Sequence, residues 1–163
     1  MLNNSKLSYA YSGVAESYRL QKNGVSSVEY AEKAYEISKQ LGEEYNRTKF
    51  GMALNLSLSY DLNGELEKSI QLLESIVPLA QKVQPFSVAL VKHNLGRGYI
   101  RAQRYDDAEK ILLEVLTIEP WSGTPRRKLA TLKELTTLYN ERNQPSNALE
   151  TGEEAYKLAK ELD

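Results

Sequence analysis

The stretch Asn94-Leu95-Gly96-Arg97-Gly98-Tyr99, followed by Tyr105-Asp106-Asp107-Ala108-Glu109, Leu112 and Val115, decides the fold. Leu95, Gly96 and Tyr99, then Ala108, Leu112 and Val115, stand three or four residues apart. Each set therefore lines one face of a helix. Gln103-Arg104 separates the two sets, so the stretch reads as two amphipathic helices joined by a tight turn. The same set recurs along the chain. Tyr99 has counterparts at Tyr18, Tyr60 and Tyr139, at spacings of 42, 39 and 40 residues. Four positions before each Tyr stands an apolar residue (Val14, Leu56, Leu95, Leu135), followed by a small one (Ala15, Ser57, Gly96, Thr136). Nine positions after each Tyr is another small residue: Ser27, Ser69, Ala108 and Ala148. A fixed period of this length signals a stacked repeat array.

Punctuation supports four hairpins. Asn23-Gly24, Asn63-Gly64, Gln103-Arg104 and Asn143-Gln144-Pro145 fall midway through the units. Asn and Gly tolerate the left-handed conformation that ends a helix, and Pro145 suits the first turn of the next. The first helices are expected at 6–22, 45–62, 87–102 and 126–142, the second at 25–41, 65–83, 105–118 and 145–162. Pro78, inside one of these, should kink it. The small residues are expected where the two helices of a hairpin approach most closely, with Ala108 and Ala148 answering from the second helix.

The bulk numbers bound the function. The chain has 163 residues, with 21 basic and 22 acidic, a near balance that argues against a nucleic-acid partner. No cysteine is present, which excludes disulfides and cysteine-bound zinc and suits a reducing cytoplasm. No stretch approaches the ~18 apolar residues of a membrane span, and no signal-peptide pattern opens the sequence. His93 is the only histidine, which rules out two-histidine metal motifs. Gly96-Arg97-Gly98 lies inside an expected helix, so its amides are already bonded and cannot cradle phosphate. The paired acids Glu43-Glu44, Asp106-Asp107 and Glu153-Glu154 read as helix-start or solvated charges. No catalytic set emerges, and no cofactor is expected.

The motifs quoted, with Tyr30-Ala31-Glu32-Lys33-Ala34, Asn55-Leu56-Ser57 and Pro120, resemble the tetratricopeptide repeat family over nearly the whole chain. The family norm is about 34 residues. The longer period here is similar to the long-helix variants of kinesin light chains, polarity scaffolds and bacterial signalling regulators. The resemblance implies an all-α fold, a right-handed superhelical α-solenoid of four helix-turn-helix repeats and eight helices. It would form a single array over 1–163, with repeats at 6–42, 45–84, 87–120 and 126–163. It also implies a non-enzymatic cytoplasmic scaffold whose concave groove, lined by the first helices, binds a protein or an extended peptide. The alternative is a sensor or self-association segment of a larger bacterial signalling or transcriptional regulator.

Carried over by register, the groove residues are Tyr9, Ser12, Glu16 and Arg19, then Leu54, Asn55, Leu58 and Asp61. The later units contribute His93, Asn94, Arg97 and Arg101, then Lys133, Glu134, Thr137 and Asn140. Asn55 and Asn94 hold the same position in consecutive units. Each can grip a peptide backbone by donating and accepting at once, or else tether a neighbouring helix. His93, Arg97 and Arg101 form a row one turn apart, with Lys133 opposite. They either clamp the carboxylates of an acidic partner, or phosphate, by paired hydrogen bonds, or pair internally with Glu16, Asp61, Glu134 or Glu141. The basic clamp with which family members hold chaperone tails is absent: its positions read Ser12, Glu16, Asn55, Leu90 and Asn94, or one unit later Leu54, Leu58, Asn94, Ala130 and Glu134. Trp121 either packs into the seam between the third and fourth units or stands exposed as a partner anchor. The last helix, with Leu149, Ala155, Tyr156 and Leu158, is expected to present an apolar face that further repeats, an output domain or a second copy would cover.

Overall fold

The structure is a computed structural model that describes residues 2–118, 121 and 123–162, with the side chains of Leu2 and Asn3 left aside. The expected repeat bounds at Pro120 and Asp163 lie outside the described residues. Eight α-helices are present and, among the described residues, no strand: α1 Leu2–Leu20, α2 Gly24–Lys39, α3 Asn46–Leu62, α4 Leu66–Val83, α5 Pro85–Arg101, α6 Tyr105–Val115, α7 Pro125–Glu141 and α8 Pro145–Lys160. A 3-10 turn at Glu43–Tyr45 leads into α3, and α4 runs on through Pro78. The helices fall into two compact units of two hairpins each, residues 1–83 and 84–163. No helix of the described residues is long and apolar enough to cross a membrane.

The hairpin turn is the most regular feature of both units. Four residues after each repeat Tyr the backbone is left-handed: Lys22 at φ 59°, Gly64 at 80°, Gln103 at 59° and Asn143 at 55°. One residue later an amide bonds back to the Tyr carbonyl. Asn23 N reaches Tyr18 O at 2.9 Å, Glu65 N reaches Tyr60 O at 2.9 Å, Arg104 N reaches Tyr99 O at 2.8 Å and Gln144 N reaches Tyr139 O at 2.8 Å. This pattern satisfies the last carbonyls of the first helix and reverses the chain within a few residues. In the first turn the expectation needs correction. Lys22 takes the left-handed position, not Asn23 or Gly24. Asn23 instead caps α2 by accepting from Ser26 N at 3.1 Å. Gly24 is small for another reason: a Cβ there would lie 2.8 Å from the Asn63 Cα.

The small residues hold each hairpin shut in different ways. In the first unit Ser27 Oγ donates to Ala15 O at 3.0 Å, and Ser69 Oγ donates to Ser57 O at 2.9 Å. These repeated bonds cross from the second helix to the first. Ala108 and Ala148 cannot make them. In the third hairpin the close approach is instead between Gly96 and Leu112, and a Cβ on Gly96 would stand 2.5 Å from the Leu112 Cγ. In the fourth, Thr136 Oγ1 donates to Thr151 Oγ1 at 3.0 Å.

The apolar partners of the repeat confirm the register with one exception. Leu56, Leu95 and Leu135 are buried, but Val14 is 39% exposed. Leu56 packs with Ala15 and Ala31 from the hairpin before it within the first unit. Val14 has no earlier hairpin to cover it among the described residues.

Candidate functional site

The first helices supply the expected groove residues, and the structure sorts them. In the first unit α1 and α3 are tied together directly. Asn55 Nδ2 donates to Ser12 Oγ at 2.7 Å and to Ser12 O at 3.1 Å. The amide donor expected to hold a peptide is thus used to join the two helices. Tyr9 extends its ring into solvent while its hydroxyl meets Thr48 Oγ1 at 3.1 Å. Glu16 is exposed and pairs with Arg19 at 3.4 Å, and Leu58 is half-buried.

In the second unit Asn94 also turns inward, donating to Leu90 O of its own helix at 2.8 Å. Arg97 crosses from α5 to Glu134 on α7 at 3.4 Å, so the internal pairing weighed from the sequence is made. That pair remains solvated, with Arg97 exposed and Glu134 half-buried. An exposed ion pair of this kind contributes at most ~1 kcal/mol, which a ligand carboxylate can offset. Arg101, Lys133, Thr137 and Asn140 are exposed alongside it.

His93 departs from the expected row. It is only 8% exposed, with Nδ1 3.2 Å from Thr131 Oγ1 and its ring 5.2 Å from that of Trp121. Trp121 is itself buried, at 4% exposure, and donates Nε1–H to Thr131 Oγ1 at 3.0 Å. It stacks on Phe86 at 5.6 Å, and the Arg127 guanidinium lies over the Phe86 ring at 4.1 Å. This knot, built by α5 and α7 side chains around Trp121 from the segment between α6 and α7, fills the seam between the third and fourth hairpins, so Trp121 takes the packed alternative. A lone histidine on an apparently polar face carries no sequence signal that a distant tryptophan will cover it.

Burial, helped by the Arg97 cation, pushes the His93 pKa down from 6.5 to about 4. The unfolded chain therefore binds a proton that the folded chain refuses as pH falls from 6.5 toward 4. Stability is full above 6.5 and drops by about 3 kcal/mol across that window. Urea midpoints between pH 7 and 4 should show this slope, and His93→Gln should remove that part of it. An equally steep slope in the variant would contradict the assignment.

A second set was not legible in the spacing. Two of the repeat tyrosines bond acids of the preceding second helix. Tyr60 Oη donates to Glu32 Oε1 at 2.8 Å, and Tyr139 Oη donates to Glu109 Oε1 at 2.9 Å. Burial and the carboxylate raise the Tyr139 hydroxyl to about 12. The sequence marks these tyrosines only as packing residues, although a tyrosine's polar end commonly finds a partner when its ring is buried. Among the described residues, no group of three or more metal-ligating side chains is gathered.

Residues 87–161 match the tetratricopeptide repeat family model. No curated protein sequence matches the chain. Among solved structures it is similar to the apo form of RapI, at 19% identity and TM-score 0.87, over 97% of this chain and 57% of that one. It is also similar to a putative kinesin light chain with nearly identical TPR-like repeats from Podosopora anserina, at 24% identity and TM-score 0.81, over 99% and 78% of the two chains. A third is the Rap conjugation gene regulator of the plasmid pLS20 in complex with the Phr* peptide, at 18% identity and TM-score 0.79, over 98% and 43%. The chain spans a little over half the length of RapI.

Proposed function

We propose, from the premise that this is a tetratricopeptide-type helical-repeat chain, that it is a non-enzymatic cytoplasmic scaffold that binds an extended, acidic peptide segment of a partner protein. The observation that carries this reading is the polar strip of the second unit. Arg97, Arg101, Lys133, Thr137 and Asn140 all face solvent from the two first helices, while the hairpin interiors behind them are closed. Guanidinium groups on rigid helices suit paired bonds to carboxylates. The solved complex of the pLS20 regulator with its Phr* peptide supports a peptide as the type of ligand, by likeness of fold. His93 and the donor groups of Asn55 and Asn94 are assigned to structure rather than to contact.

Selection from a displayed random-peptide library tests the reading. Peptides rich in Asp and Glu should be enriched on the wild-type protein. The triple reversal Arg97→Glu, Arg101→Glu, Lys133→Glu should weaken their binding at least about tenfold, the loss of roughly 1.4 kcal/mol. Enrichment of neutral peptides, or unchanged binding by the triple variant, would refute it.

A second reading, self-association of a signalling segment, rests on α8. Leu149 and Tyr156, seven residues apart on that helix, are each 63% exposed. Sedimentation should then show a dimer that Leu149→Glu with Tyr156→Glu converts to monomer. A wild-type monomer removes this reading and leaves the first intact.

A further inference from the structure

The seam between successive hairpins is built from the same positions in both units. In the first unit Leu56 and Tyr60 of α3 line one furrow with Glu32 and Tyr35 of α2. In the second, Leu135 and Tyr139 of α7 line one with Leu113 and Leu116 of α6. The later hairpin thus inserts its repeat Tyr and the apolar residue four before it. The earlier one receives them with the residues fourteen and seventeen after its own repeat Tyr. In a repeat array each hairpin meets only its neighbours, so the same register serves every seam.

The fourth hairpin carries a receiving set that copies the first. Glu32-Lys33-Ala34-Tyr35 of α2 returns in α8 as Glu153-Glu154-Ala155-Tyr156, at the same offset from Tyr139 as from Tyr18. The flanking cation returns too. Lys39 lies 5.1 Å from the Tyr35 centroid, and Lys160 lies 5.4 Å from that of Tyr156. What differs is the cover. Ala31 is 1% exposed in a cluster with Leu56, and Tyr35 is half-buried. Gly152, in the place of Ala31, is half-buried, and Tyr156 is 63% exposed. Glu32 accepts from Tyr60, whereas Glu153 is exposed and makes no hydrogen bond or ion pair among the described residues.

The first hairpin carries the matching inserting set. Val14 and Tyr18 of α1 stand where Leu56 and Tyr60 do, and Val14 is open to solvent. The Tyr18 ring stacks on Tyr30 at 5.6 Å, but its hydroxyl has no partner among the described residues. Tyr60 and Tyr139 both bond an acid across their seams.

We infer that α8 of one copy of this chain receives α1 of a second copy, in the register of the internal seams. Val14 then lies over Thr136 and Gly152 of the other copy, as Leu56 packs with Ala15 and Ala31. Tyr18 Oη donates to Glu153, as Tyr60 Oη does to Glu32. The two faces are unlike, so the contact is head-to-tail, and copies add in a row unless the rotation closes a ring. Symmetric pairing of two α8 helices would leave Val14 and Tyr18 uncovered. The inference rests on the self-association reading and gives α8 an unlike partner surface. It does not depend on the polar strip of the second unit.

Sedimentation of the full chain with two variants tests it. Val14→Glu spoils the inserting face and Tyr156→Glu the receiving one. Both positions are exposed, so circular dichroism melts should show the fold retained. The wild type should gain mass with concentration. Each variant alone should associate at least about tenfold more weakly and sediment as a monomer over the same range. An equal mixture of the two should recover association and stop at a one-to-one dimer, because one sound face of each kind remains. A Val14→Glu protein that dimerises like the wild type would overturn the head-to-tail contact while leaving self-association through α8 standing. A mixture that stays monomeric would overturn it as well, and a wild-type monomer at every concentration would remove both.

Discussion

Gly96→Leu is expected to leave residues 84–163 without a cooperative unfolding transition. The reason is distance. A Cβ on Gly96 would already lie 2.5 Å from both Cγ and Cδ2 of Leu112, and Leu112 is fully buried with no room to retreat. A single methylene forced into a packed core costs about 1–3 kcal/mol, and leucine adds four carbons. The sum exceeds ~4 kcal/mol, against a stability of about 5–15 kcal/mol for an ordinary domain. Ala108→Leu, at a position equally closed, should act in the same way. The smaller change Gly96→Ala shows which effect wins. Helix propensity favours alanine by about 1 kcal/mol, but the contact with Leu112 costs more, so the variant should melt lower. Gly51, in the middle of α3, has nothing within 4 Å of its would-be Cβ. Gly51→Ala should therefore melt higher. Circular dichroism melts of the two alanine variants must move in opposite directions. Shifts of the same sign would show that the third hairpin is not packed in this register.

Trp121→Ala is expected to destabilise the second unit by about 3–5 kcal/mol, the usual cost of deleting a buried aromatic side chain. Trp121 touches Phe86, His93, Thr131 and Arg127, so its loss opens a cavity with contributions from both first helices of that unit. Trp121→Phe keeps an aromatic ring but removes the pyrrole half of the indole together with its Nε1–H bond to Thr131, so it should cost more than the ~1 kcal/mol of that bond and less than the alanine change. As the chain's one tryptophan, it should also emit at a blue-shifted wavelength in the native protein. Emission typical of a tryptophan in water, together with an unchanged melting temperature in Trp121→Ala, would place it outside the core.

These two residues show what could be read from the sequence and what could not. The recurrence of Tyr18, Tyr60, Tyr99 and Tyr139 placed all eight helices, because repeat packing and turn geometry are local and periodic. The left-handed residue four positions after each Tyr follows from the same periodicity, even where its identity is Lys22 or Gln103 rather than glycine or asparagine. Side-chain pairing was another matter. Asn55 looked available for a ligand, yet its partner Ser12 lies 43 residues away in the sequence. His93 looked solvated, yet its cover comes from Trp121 and Thr131. Periodicity says which face a residue occupies. It does not say which long-range neighbour closes over that face.

The distinction matters for where a partner is chosen. Once Asn55, Asn94 and His93 are assigned to structure, the polar strip reduces to Arg97, Arg101, Lys133, Thr137 and Asn140. The most direct measurement is an amide chemical-shift map of the full chain with the best acidic peptide from the library selection. The scaffold reading predicts that perturbations gather on α5 and α7 around Arg97, Arg101, Lys133 and Asn140. Perturbations confined to α6 and α8, or none at saturating peptide, would contradict it.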